Sequence, residues 1–305
     1  MKYLFILITT LILTSSCCGT QKITENQPKT TDQIGVLSET PSITEFTKAE
    51  SICGNQFMTN RVLDNSIEVS LGENGTVSDD SISETTEIIY KEAFNHSIFN
   101  DLLKKHVSKK GNVNYNGFKT DSKTLQNYIE LLKTYQPTEN WTKTDKLAYW
   151  INAYNALTID LILRNYPTKS IKDIKSPWDQ RLWKFGDKWQ NLNDIEHKIL
   201  RKMNEPRIHF AIVCASVSCP KLQNEAFIAS KLEAQLTNAT KEFLADTTKN
   251  KISENSIEIS LIFKWFSKDF KTDGSLIDFL NTYTEVKISE SAKKSYKDYN
   301  WDLND

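Results

Sequence analysis

The chain has 305 residues, 39% hydrophobic and 25% charged, with a formal net charge of -1. That balance supports one sizeable core or two small ones, and it carries no global basic footprint, so no nucleic-acid partner is expected. With 9 glycines in the whole chain, a glycine-rich phosphate loop has little room, and no internal repeat is visible.

Met1 and Lys2 precede a short apolar run that ends at Leu13, followed by Thr14, Ser15, Ser16 and the pair Cys17 and Cys18. One positive charge, a short apolar run and small residues make a secretory signal, and the run is too short to span a bilayer comfortably. A cysteine directly after small residues resembles the lipobox of bacterial lipoproteins. Cys17 is the expected lipidated residue and Cys18 the alternative; Thr14 stands where leucine is usual. Residues 22–90 then hold 4 Lys/Arg and 12 Asp/Glu, whereas residues 91–305 hold 33 and 27. The expected organisation is a lipoprotein-type signal over 1–18, an acidic, largely disordered spacer over 19–88, and a folded body over 89–305. The localisation that follows is the bacterial cell envelope, with a lipid anchor in a membrane and the body facing the periplasm or exterior. A weak hairpin is expected within 51–75, and Cys53, inside it, is assigned no role.

The body opens with a helical pattern through Ile88, Phe94, Ile98, Leu102 and Leu103, with His96 and His106 as surface residues. Gly111 to Tyr115 reads as a turn into a short strand. A second amphipathic helix covers 122–135, and the longest covers 142–166, where Pro167 stops it. Asn152 and Asn155, one turn apart among aromatics, read as buried amides with fixed hydrogen-bond partners, steadying a loop or orienting a catalytic group. Trp178, Trp183, Phe185 and Trp189 surround a hairpin turn at Gly186, with core packing the first reading and a groove the second. A helix capped at Asn193 runs through Met203 and carries His197. Phe210 to Val213 read as a buried strand opening at Cys214 into a loop with Cys219. A helix over 225–244, a strand over 257–262, a short helix over 275–283 and an edge strand near Val286 and Ile288 complete the body. The fold class is α+β: a helix-rich single domain with a small, mostly antiparallel sheet. Its core is expected to include Trp150, Ile151, Tyr154, Leu157, Ile199, Phe210 and Ile212.

Five stretches, in order, carry a resemblance: Gly111-Asn-Val-Asn-Tyr115, Trp150-Ile-Asn-Ala-Tyr-Asn-Ala-Leu157, Ile195-Glu-His-Lys-Ile-Leu-Arg201, the run from Pro206 to Pro220, and Tyr299-Asn-Trp-Asp-Leu-Asn304. Together they resemble the domain-of-unknown-function family 547 over roughly residues 90–305. The resemblance implies no established activity. Its bacterial members are often secreted or lipid-anchored, which agrees with the signal here.

The residues around Cys214 support several readings. In a thiol-dependent hydrolase or acyl/amide transferase, Cys214 is the nucleophile, His197 or His209 takes its proton, and Asn152 or Asn155 orients the histidine. On one regular strand, His209 and Cys214 face opposite sides, which favours His197. A Cys214–Cys219 disulfide is the second reading, suited to an oxidising compartment. No cofactor is expected; zinc on His197, His209, Cys214 and Cys219 has suitable ligand types, but the histidines lack a helical metal spacing. In the last reading the protein is a non-enzymatic surface protein that binds a protein or glycan ligand.

Overall fold

The structure is a computed structural model that describes residues 92–305. The expected signal and spacer, Cys17, Cys18, Cys53, Ile88 and the hairpin expected in 51–75 lie outside the described residues.

Helices α1 (Ser97–His106), α2 (Tyr115–Thr120), α3 (Ser122–Thr134) and α4 (Lys143–Asn165) come first. In α3 the expected stripe of Leu125, Tyr128, Ile129 and Leu132 is buried. Helix α4 starts with a capping box between Thr142 and Asp145, which satisfies donors that the first turn leaves open. It ends just before Pro167, whose ring cannot extend a helix. Every residue from Leu147 to Ile162 is buried. A helix covered on all sides has no polar face, which explains its unusually broad apolar stripe.

Two histidines depart from expectation. His96 is 4% and His106 6% exposed, so neither is a surface residue. Each has a polar partner that makes burial tolerable: His96 Nδ1 lies 2.7 Å from the Tyr128 hydroxyl, and His106 Nε2 lies 2.6 Å from Asp121 Oδ2. Burial pushes the His96 pKa down to about 3. The strand expected at Gly111 to Tyr115 is reduced to one bridge between Val107 and Val113. The cause is Asn114, whose side chain accepts the Gly117 N–H at 2.8 Å and starts α2 at Tyr115.

The hairpin around Gly186 forms as expected, with β1 (Trp183–Phe185) antiparallel to β2 (Lys188–Gln190). The following helical run starts two residues earlier than the Asn193 pattern suggested. Asn191 is the cap and accepts the Asp194 N–H at 2.6 Å. The run passes from α5 (Leu192–Asp194) through a π turn (Ile195–Ile199) into a 3-10 turn (Leu200–Met203).

The largest correction is the apolar run before Cys214. Pro206–Phe210 is a 3-10 helix, and 211–214 is irregular rather than a strand. Pro206 occupies the first turn, Glu205 accepts the Arg207 N–H at 3.1 Å, and the backbone beyond is bonded to a side chain instead of a neighbouring strand. The helix expected from 225 begins later, as α6 (Leu232–Ala245). Residues 226–230 are instead anchored by side chains: Glu92 accepts the Ala229 and Ser230 N–H groups at 2.8 and 2.9 Å.

Strands β3 (Lys251–Ser253) and β4 (Ser256–Ile259) are antiparallel, and α7 (Ile262–Trp265) and α8 (Leu276–Tyr283) follow. The third strand is β5 (Lys293–Tyr296), parallel to β4. No edge strand forms at Val286 and Ile288, because the Asn281 side chain bonds both the N–H and the carbonyl of Ile288. The fold is α+β with helices predominating, and two of its three strand pairings are antiparallel. Of the expected core, Trp150, Ile151, Tyr154, Leu157, Phe210 and Ile212 are buried, and Ile199 is half-buried against them. Among the described residues, no helix is long and apolar enough to cross a membrane.

Candidate functional site

The site begins with the two asparagines of α4. Asn155 donates to the Ala211 carbonyl at 2.9 Å and accepts the Val213 N–H at 3.0 Å. Asn152 does the same for Phe227, at 2.7 and 3.0 Å. Each amide acts as a one-residue strand partner, satisfying buried backbone that has no ladder of its own. Both side chains are committed to backbone, and neither orients a histidine. The catalytic role considered for them is replaced by a positioning one: Asn155 sets the backbone that leads into Cys214.

Beyond Val213 the chain turns sharply. Ala215 has φ of 57°, a left-handed conformation that a Cβ disfavours and that the surroundings must hold. The C-terminal segment holds it. The Asn304 N–H donates to the Ala215 carbonyl at 3.2 Å, the Val217 N–H to Asp302 at 2.9 Å and the Ser218 N–H to Asn300 at 3.2 Å. This clamp also delivers Tyr299 and Trp301 to the loop. Cys214 and Cys219 form a disulfide, with Cα atoms 6.3 Å apart. Cys214 is partly exposed and Cys219 is buried. Donors surround both sulfurs. The Ser216 and Tyr299 hydroxyls lie 3.2 and 3.4 Å from Cys214 Sγ. Cys219 Sγ accepts from the Cys214 N–H at 3.0 Å and the Tyr299 hydroxyl at 3.3 Å.

The π turn supplies the opposite wall. Such turns locally break the α-helical spacing and are common where a helix serves a site. Here the turn carries Glu196 and His197. Glu196 is only 9% exposed. Its Oε2 accepts from the Tyr154 hydroxyl at 3.2 Å; no buried side-chain nitrogen or oxygen among the described residues lacks a partner, so Oε1 is open to the cavity. Burial raises its pKa to about 7, against the opposing effects of the Tyr154 hydrogen bond and the Arg201 charge. His197 Nδ1 lies 2.8 Å from an Arg201 nitrogen. A guanidinium can only donate, so Nδ1 accepts and the neutral ring carries its proton on Nε2. Burial, then the Arg201 charge, lowers the His197 pKa.

Arg201 is held in a fork by Asp269, at 2.6 and 2.8 Å. Asp269 also receives His209 Nε2 at 2.8 Å. Burial opposes ionisation of Asp269, but the hydrogen bonds from His209 and Arg201 keep its carboxyl well below the usual range. Burial lowers the His209 pKa in spite of that carboxylate. The His209 ring stacks on Phe266 with centroids 4.0 Å apart.

Between these walls lies a cavity of about 320 Å³. Cys214, Cys219, His197 and His209 all line it, together with Glu196 and Tyr154. The structure therefore brings together four of the six residues that the sequence singled out near the cysteines and excludes Asn152 and Asn155. Strand parity does not separate His209 from Cys214, since no strand joins them. An aromatic rim completes the cavity. Tyr299 packs against Trp301 and Trp265 with centroids 4.6 and 4.8 Å apart, and Trp178 meets Trp301 edge-on at 5.8 Å. Of the expected tryptophan cluster, Trp178 lines the cavity, Trp183 is core, and Trp189 is 51% exposed.

Glu196, Tyr299, Trp265, Trp301 and Asp269 were not singled out as site residues from the sequence. Glu196 sits beside His197 within a recognised stretch, but nothing local marks it as buried. The others come from segments 65 or more positions away. With Cys214 and Cys219 joined, the zinc set has no free thiolates. Among the described residues, no three His, Cys, Asp or Glu side chains are arranged to hold a metal ion.

Residues 138–244 match the family described as "Protein of unknown function, DUF547". The matched stretch includes the asparagines of α4, Glu196, His197, His209 and both cysteines of the disulfide. The stretches Gly111 to Tyr115 and Tyr299 to Asn304 fall outside it. No curated protein and no solved structure matches the chain.

Proposed function

We propose that the protein binds a small organic ligand in the cavity between the π turn and the disulfide loop, and that it does so from a lipid-anchored position in the bacterial cell envelope. The observation that carries the binding reading is Glu196. An almost buried carboxylate that opens onto an aromatic-rimmed cavity is placed to meet the polar group of a ligand entering it. In this reading the Cys214–Cys219 disulfide is structural and holds the wall in shape.

The test is quenching of tryptophan fluorescence by a small aromatic probe, benzyl alcohol, titrated into the full chain. Saturable quenching that disappears in Asn193→Trp, which fills the cavity from its lining, is the expected result. Quenching that does not saturate, or that survives the substitution unchanged, would refute the reading. The anchor rests on the N-terminal signal and Cys17 or Cys18. Labelling with a palmitate analogue should mark the protein and vanish in Cys17→Ala/Cys18→Ala, and retention of the label would rule the anchor out.

A second reading, a thiol-dependent hydrolase or acyl/amide transferase, is favoured by the donors around the sulfurs. After reduction, hydroxyl and N–H groups at 3.0–3.4 Å stabilise a thiolate. Iodoacetamide separates the two readings. Alkylation of Cys214 only after reductant, with quenching by benzyl alcohol preserved in Cys214→Ser/Cys219→Ser, supports the binding reading. Ready alkylation of Cys214 without reductant supports the thiol reading.

A further inference from the structure

Cavity charge runs against the charge of the body. Residues 91–305 hold more Lys/Arg than Asp/Glu, yet the cavity lining contains the carboxylates Asp179 and Glu196 and no lysine or arginine. The two histidines in the lining have lowered pKa values, through burial first in each case, which favours their neutral forms. Arg201, on the turn after Glu196, is forked to Asp269 and lies over the Phe266 ring at 5.3 Å. It is not available to pair with an anionic ligand. Lys172 lies over the Trp301 ring at 5.2 Å, so a ring of this rim already takes up a cation.

We infer, resting on the binding reading above, that the ligand of this cavity is a small organic cation: an ammonium group directed at the open Glu196 oxygen, on an apolar body held by the tryptophan rim. Each alternative meets an obstacle. An anion would face two carboxylates with no counter-charge in the lining. A neutral polyol needs many hydrogen-bond partners, and most of the lining is aromatic or aliphatic. A cation gains from both kinds of wall, since aromatic faces carry negative potential and a desolvated carboxylate makes a strong charge-assisted hydrogen bond. Burial outweighs the Arg201 charge at Glu196, and a bound ammonium supplies a direct counter-ion in place of a proton.

Three probes of similar size test the inference on the full chain at pH 8: benzylammonium, benzyl alcohol and benzoate, each titrated by tryptophan fluorescence. Benzylammonium should bind at least about tenfold more tightly than benzyl alcohol, with benzoate weakest. Glu196→Gln should bring benzylammonium to within about threefold of benzyl alcohol. Equal or reversed preference in the wild type would overturn the inference and leave the binding reading standing. The same preference in Glu196→Gln as in the wild type would also overturn it. Failure of all three probes to bind saturably would overturn both. The wild-type ranking decides the question even if the variant does not fold.

Discussion

Substituting Glu196 by Gln should stabilise the protein at alkaline pH. Its pKa stands at about 7 in the folded chain, against an ordinary value of 4.5. Between those two values the folded state holds more protons than the unfolded state, so stability falls as pH rises through that window. Once the group is ionised, the accumulated loss is about 3 kcal/mol. Glutamine keeps an oxygen for the Tyr154 hydroxyl, fits the same space and carries no charge to desolvate. The variant should match the wild type near pH 4.5 and exceed it by up to about 3 kcal/mol at pH 8. For a chain of this size that is an increase in Tm of up to roughly 6–12 °C. Thermal denaturation followed by circular dichroism at pH 5 and pH 8, on both proteins, reads the effect. His197, His209 and Asp269 titrate in both proteins, so their contributions cancel in the difference to first order. A variant no more stable than wild type at pH 8, or a gap of the same size at both pH values, would refute the reasoning.

Three further outcomes follow from the same geometry. Asn155→Ala leaves the buried Ala211 carbonyl and Val213 N–H without partners and should cost roughly 2–5 kcal/mol in urea unfolding; a loss below about 0.5 kcal/mol would mean that water replaces the amide. Gly111→Ala must place a Cβ at φ of 86° and 2.9 Å from the Lys221 Cα, so a destabilisation above about 1 kcal/mol is expected, and a neutral result would show that the 108–112 turn relaxes freely. Asp269→Asn removes the carboxylate shared by Arg201 and His209 and should cost about 3 kcal/mol at pH 7. Because the folded pKa of Asp269 is depressed, that contribution is present above the ordinary carboxylate value and is lost as pH falls below about 4. A difference between variant and wild type that stays constant down to pH 2 would contradict the pairing.

The helices were legible where one signal dominated. The stripe of α3, the capped start of α4 before its long apolar face, and α8 after Ser275 all appear within a residue or two of expectation, because spacing and caps are local properties. The run before Cys214 was not legible. Its apolar residues suit a buried strand, and periodicity cannot report that Asn155, more than 50 positions earlier, supplies the backbone partners that a sheet would otherwise provide. The same cause hid the role of Asn281 at Ile288, where a strand was expected and a side chain had already bonded the backbone.

The sequence by itself determined the chemistry available near the cysteines: two thiols five positions apart, two histidines upstream, and a disulfide or a nucleophile as the alternatives. Only the tertiary structure decided which of those residues meet. The disulfide joins Cys214 to Cys219, both histidines share one cavity with them, and the asparagines are turned to backbone. The residue that carries the functional proposal, Glu196, is an ordinary glutamate on a short helical turn until the fold bonds it to Tyr154 and sets it in one cavity wall with Trp178 and Tyr299. The physical reason is that desolvation is a property of everything around a carboxylate, and those neighbours lie 18, 42 and 103 positions from Glu196 in the chain.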